Sequence, residues 1–314
     1  MQLSTPGGTA GTVGREVVRA RLESTKFDYA GLLVRIALFG ALAFTVLLLV
    51  VLLVTIARDG LDVLTSRPSS FIQGTLRSLP SEAGIHQGLR GTFWIGVFVV
   101  FLGFPLGIGA AIYIEEYAPD TRLTRFISAN IRNLAGVPSI VYGLLGLAIF
   151  VQLMADFTGG RSLLSGGLTM SILVLPIVII TTAEALRAVP LSIREAAFGV
   201  GATRWEVVRS HVLPYAAPGI LTGTILAFSR ALGEAAPLIL VGGAPGFFAA
   251  AGGGVVDTLH GPYTALPAVI FNWSRRSLRE FGPLTAAAIV VLLGVLLVIN
   301  GLAIYLRNRY ERQW

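Results

Sequence analysis

A chain of 314 residues that is 54% hydrophobic and 13% charged, with a mean hydropathy of +0.76, is not a soluble globular domain, in which charged residues make up roughly a quarter. The net charge of +7 sits on residues flanking apolar runs, where it orients a membrane protein and gives no reason to expect nucleic acid. With no cysteine there is no disulfide, thiolate metal site or thiol nucleophile, and His86, His211 and His260 lie too far apart for common zinc-ligand spacings.

Residues 1–30 are rich in Gly and Thr, then charged, and read as a cytoplasmic tail with an interfacial helix near 15–26. The apolar run that follows exceeds the roughly 7–15 residues of a signal-peptide core, so it is expected to stay as a first span. A hydrocarbon core about 30 Å thick takes roughly 20 apolar residues of helix. Six stretches qualify: residues 31–57, 88–114, 133–154, 163–186, 215–241 and 283–306. Together they define an all-α integral membrane protein with a six-helix domain over 31–306 and a short cytoplasmic tail over 307–314. Pro105, Gly107, Gly109, Pro138, Gly143 and Pro176 punctuate the spans as close-contact points or hinges. No internal repeat of the kind that builds single-chain carriers is evident.

Six spans leave both termini on one side. That side carries fourteen basic residues outside the apolar cores and the other carries eight, so both termini are expected in the cytoplasm. Arg35, near the inner end of the first span, is expected to snorkel. Glu115, Glu116 and Asp120 close the second span on the inner side and read as a solvated helix end. The outer loop over 242–282 is Gly-rich and then, over 271–281, aromatic and basic. It either docks an extracytoplasmic partner or packs over the bundle.

The inner loop over 187–214 reads as two short helices bent at Gly199 and Gly201. Ser192 with Glu195 has the spacing of a capping box. Trp205, Val208 and Val212 share one face of the second helix while Arg204 and Arg209 stay polar. Such a loop suits a knob that enters a groove on another protein. Beyond it, Arg230 lies deep in an apolar run, where an arginine costs about 2.5–3.5 kcal/mol on insertion scales. Glu234 stands four residues on, at the spacing of a helical ion pair. A planar guanidinium suits bidentate contact with an oxyanion.

Glu195-Ala196-Ala197, then Gly201, then Leu213-Pro214 resembles the EAA loop of ABC-importer permeases throughout its spacing, with His211 where the pattern has Ile. The resemblance implies that Glu195, Ala196, Ala197, Gly201, Leu213 and Pro214 form the coupling element to an ATPase. Residues 105–118 (PLGIGAAIYIEEYA), 136–146 (GVPSIVYGLLG), 229–238 (SRALGEAAPL) and 265–272 (ALPAVIFN) further resemble the phosphate-specific permeases of the PstA type. That resemblance implies a type I (MetI-like) fold and one half of a heterodimeric phosphate permease with a PstC-type partner. It also implies two PstB-type ATPase subunits, a PstS-type extracytoplasmic phosphate-binding protein, and residence in a bacterial cytoplasmic membrane. ATP and Mg would belong to the ATPase subunits, since no Gly-x-x-x-x-Gly-Lys-Ser/Thr loop occurs in this chain. Arg230 and Glu234 would line the substrate pathway, with Glu234 accepting the P–OH proton of phosphate. A permease for molybdate or sulfate and an ATPase-independent anion channel are the alternatives. An intramembrane enzyme would need a paired nucleophile and base, which the spans do not supply.

Overall fold

The structure, a computed structural model, describes residues 29–243 and 254–310. The expected interfacial helix near 15–26, most of the tail over 1–30, the outer-loop segment 244–253 and residues 311–314 lie outside the described residues. The described residues contain helices and no strand. In chain order these are α1 (Tyr29–Ser66), α2 (His86–Tyr117), α3 (Arg122–Ala135), α4 (Ser139–Leu153), α5 (Leu163–Arg187), α6 (Leu191–Gly199), α7 (Arg204–Gly233), α8 (Leu266–Ser274) and α9 (Phe281–Tyr310), joined by shorter turns of helix. Five are long and apolar enough to cross a membrane, and α3 with α4 makes a sixth when taken as one bent span.

The chain divides into two compact units, 1–55 and 56–314. The described part of the first is the apolar stretch of α1 up to Thr55, with Leu33, Phe39, Phe44 and Leu47 exposed. Beyond Arg35, an apolar surface of that kind is stable in lipid or against another apolar helix.

In the second unit α5 is the central helix, the most buried of the candidate spans. Its Met170, Val174 and Val178 form the main core with Ile95 and Val99 of α2 and Ala227 and Ala231 of α7. α2 meets α5 along Val99, Gly103, Gly107 and Ala111, all buried. A Cβ at Gly107 would stand 2.7 Å from a Val178 methyl, so only glycine permits this approach. Pro105 and Pro214 are both tolerated inside long helices for one reason. Each follows a π-helical turn, Val99–Gly103 or Val208–Val212. The carbonyl four residues before a proline is the one its ring strikes; here those carbonyls, of Phe101 and Ser210, lie in the widened turns.

Two expected spans are corrected. The run over 133–154 is not one helix: the chain breaks between Ala135 and Ser139 and turns by 104°. Pro138 supplies the break, since it disfavours helical backbone at Val137. α3 then has no buried residue, and α4, about 22 Å long at ~1.5 Å per residue, is too short to cross alone. The run over 215–241 also breaks. α7 stops at Gly233, Glu234 is extended (φ −82, ψ 121), and a short helix Ala236–Leu240 follows.

In the loop over 242–282, α8 buries Leu266, Val269 and Trp273 in a second core with Phe71, Ile85 and Phe281. The Leu266 amide donates to Thr92 Oγ1 at 2.9 Å, and the Arg276 guanidinium lies 4.4 Å from the Phe281 ring centroid. Within 271–281 Trp273 and Phe281 are buried, while residues 274–280 are exposed.

Candidate coupling loop and anion gate

The loop over 187–214 is built on α6 and the start of α7. Pro190 precedes α6 with no side-chain cap, so the capping box expected of Ser192 and Glu195 does not form. The box forms instead at Thr203, whose amide donates to Glu206 Oε2 at 2.7 Å while its hydroxyl accepts from the Glu206 amide. Between the helices Gly201 adopts φ +87, a left-handed conformation that glycine alone takes freely. Ala197 is buried among Leu186, Val189, Val207, Val212, Ala216 and Ile220, whereas Glu195, Ala196 and Gly201 are exposed. Leu213 is half-buried and Pro214 exposed. The expected shared face of Trp205, Val208 and Val212 is corrected: the two valines are buried with Val207, and Trp205 is 56% exposed. The π-helical turn at Val208–Val212 takes the helix out of its 3.6-residue period there. Trp205 instead joins Leu191, Phe198 and Val200 among the exposed apolar residues of the loop. His211 is exposed, so its replacement of Ile removes no buried contact.

Arg230 lies in the last turn of α7, not in mid-helix, because α7 ends at Gly233. A cation there is favoured by the helix dipole by about 0.3–1 kcal/mol. Its Nε stands 3.4 Å from Glu234 Oε1, with the arginine side chain half exposed and the glutamate largely covered. The break after Gly233 sets this pair. Pro237, at the start of the next short helix, is buried against Gly143 of α4, where a Cβ would stand 2.7 Å from Pro237 Cα. That contact anchors the chain just past Glu234. On the other side of Arg230, Ser229 Oγ donates to Asn300 Oδ1 of α9 at 2.8 Å. Asn300, an amide inside an apolar span, was the available signal for this tie.

The acidic end of α2 is corrected as well. Glu115 pairs with Arg187 through two hydrogen bonds, Nε to Oε2 at 2.9 Å and Nη2 to Oε1. Glu116 is buried, 7% exposed, and accepts from Arg194 of α6 at 2.9 Å. Arg194 also donates to the carbonyls of Val189 at 2.7 Å and Leu186 at 2.9 Å, and so closes the C-terminal end of α5. Only Asp120 fits the solvated reading, and its contact is an exposed pair with Arg125 at 3.4 Å.

The family model described as "Binding-protein-dependent transport system inner membrane component" matches residues 103–312. The probable ABC transporter permease protein YqgI of Bacillus subtilis is 37% identical over 174 residues, covering 55% of this chain and 58% of that protein. The phosphate transport system permease protein PstA of Yersinia pestis is 34% identical over 223 residues, covering 70% and 71%. In fold the chain is similar to a chain of the bacterial alginate ABC transporter solved with a pentasaccharide-bound periplasmic protein. There the TM-score is 0.66 at 13% identity, covering 88% of this chain and 94% of that one. The match spans little more than half the length of the Bacillus relative. The chain belongs to the family of binding-protein-dependent transport system inner membrane components.

Proposed function

We propose that this chain is the PstA-type half of an ATP-driven phosphate permease, with Arg230 and Glu234 as its anion gate. The carrying observation is α7. It runs without a break from Arg204, inside the inner loop, to Gly233, and holds Arg230 in its last turn. A displacement of the loop is thus a displacement of the guanidinium. At rest Glu234 balances Arg230; an entering phosphate takes the guanidinium by bidentate hydrogen bonds and offers its P–OH to Glu234. Residues 187–214 form the coupling loop, with Glu195, Ala196, Ala197, Gly201, Leu213 and Pro214 carrying the motion. A homologous permease subunit completes the pathway. Two ATPase subunits hold ATP and Mg, an extracytoplasmic binding protein delivers phosphate, and both termini face the cytoplasm. The PstA name of the Yersinia relative supports phosphate as the cargo.

The test is uptake by the purified complex in vesicles with Arg230→Lys and Arg230→Gln. Loss of phosphate import in assembled complexes is expected for Arg230→Gln, and for Arg230→Lys a marked fall, because lysine lacks the bidentate fork. Wild-type rates in both would sink the gate. Import of molybdate or sulfate in preference to phosphate would sink the cargo assignment.

A further inference from the structure

Three consecutive residues at the inner end of α2 hold three different segments. Glu115 holds Arg187 at the end of α5. Glu116 holds Arg194 of α6. The Tyr117 ring lies under the guanidinium of Arg204, the first residue of α7, at 5.4 Å from its centroid. All three residues sit in the π-helical turn Tyr113–Tyr117. Glu115, Glu116, Arg187, Arg194 and Arg204 line a cavity of about 470 Å³ together with Phe198 and Val207.

Among the described residues Glu116 is the one charged residue that is buried. Parting a buried ion pair leaves an uncompensated charge on each side, so such a pair stays made while the elements around it move. Arg194 is held equally firmly, by Glu116 and by two carbonyls at the end of α5. The fork of Arg194 therefore joins the loop helix to α2 and α5 at one point.

We propose that Glu115, Glu116 and Tyr117 make α2 a second follower of the coupling loop. The ATPase stroke then enters α2 through the Glu116–Arg194 pair as well as α7 through the backbone. Glu116 and Arg194 are positioning residues in this account: they touch no substrate and carry motion between elements. The inference rests on the reading of α6 as the coupling helix.

The experiment uses the assembled complex in vesicles, with phosphate uptake and ATP hydrolysis read from one preparation. Wild-type uptake tied to hydrolysis is the control, and its absence refutes the proposed function rather than the role of Glu116. Glu116→Gln and Arg194→Lys are expected to hydrolyse ATP near the wild-type rate while phosphate moved per ATP falls roughly tenfold. A merely structural role would lower assembly and leave that ratio unchanged. An unchanged ratio in either assembled variant overturns the proposal.

A second measurement leaves the pair intact. The chain has no cysteine, so Tyr113→Cys with Ser192→Cys places spin labels at two exposed positions, one on α2 and one on α6. The distance between them is expected to stay the same in the nucleotide-free and ATP-bound complex. A distance that changes with nucleotide overturns the proposal.

Discussion

Ser229 of α7 and Asn300 of α9 share a 2.8 Å hydrogen bond one residue before Arg230, and so restrain the rotation of α7 beside that arginine. Interhelical hydrogen bonds in membranes average about 0.6 kcal/mol and reach about 1.7. Ser229→Ala and Asn300→Ala are each expected to lower stability by about that much. The double variant should lose no more than the larger single loss, which thermal unfolding in detergent would measure as a cycle.

Gly107 and Val178 are packed without room for a methyl group between them. Gly107→Ala is expected to destabilise by about 1–3 kcal/mol, the usual range for overpacking. Val178→Ala in the same chain should recover most of that loss. A double variant no more stable than Gly107→Ala alone would place the strain elsewhere.

Gly201 turns the chain between α6 and α7 with φ +87, and a Cβ there would meet no atom within 4 Å, so backbone conformation alone restricts the position. Gly201→Val should cost about 1–3 kcal/mol of local strain. Gly201→Asn should cost less, because Asn tolerates that region. Limited proteolysis of the loop would rank the three proteins, with Val the most readily cut.

Two sites with the Ser/Thr-x-x-Glu spacing differ in the structure, and stability should follow the structure. Thr203→Ala, which removes a formed capping box, is expected to lower stability by about 0.5–2 kcal/mol. Ser192→Ala removes no cap and should leave the melting temperature unchanged. Equal effects at the two positions would contradict a cap at Thr203 and none at Ser192.

Five of the six spans were legible because hydropathy sums over some twenty residues and tolerates local detail; the sixth is the bent pair α3 and α4. The break at Gly233–Ala235 was not legible, because composition is apolar on both sides of it, and the expected span from 133 took in the last residues of the amphipathic α3 before Gly136–Pro138. What places the second break is Pro237 seated on Gly143, a contact between residues far apart in sequence. The bend between α6 and α7 was legible from its glycines, and Gly201 has the positive φ. Its cap was not, since the three-residue spacing at Ser192 recurs at Thr203. Glu115 and Glu116 read as solvated because their arginine partners lie 72 and 78 residues further along. No local pattern records which loop crosses a helix end. Arg230 was legible as an expensive charge; the tie of its neighbour Ser229 to Asn300 was not.

The seam of α2 runs through Val99, Gly103, Gly107, Ala111 and Glu116, at intervals of four, four, four and five residues. A regular α-helix has 3.6 residues per turn and would carry such a line steadily around its circumference. The widened turns at Val99–Gly103 and Tyr113–Tyr117 take up part of that drift. α2 is thereby keyed to its neighbours like a splined shaft, and the key ends in a carboxylate. Removing a single residue from the last wide turn, Ile114 for instance, would leave every span in place yet rotate Glu116 by about 100° away from Arg194.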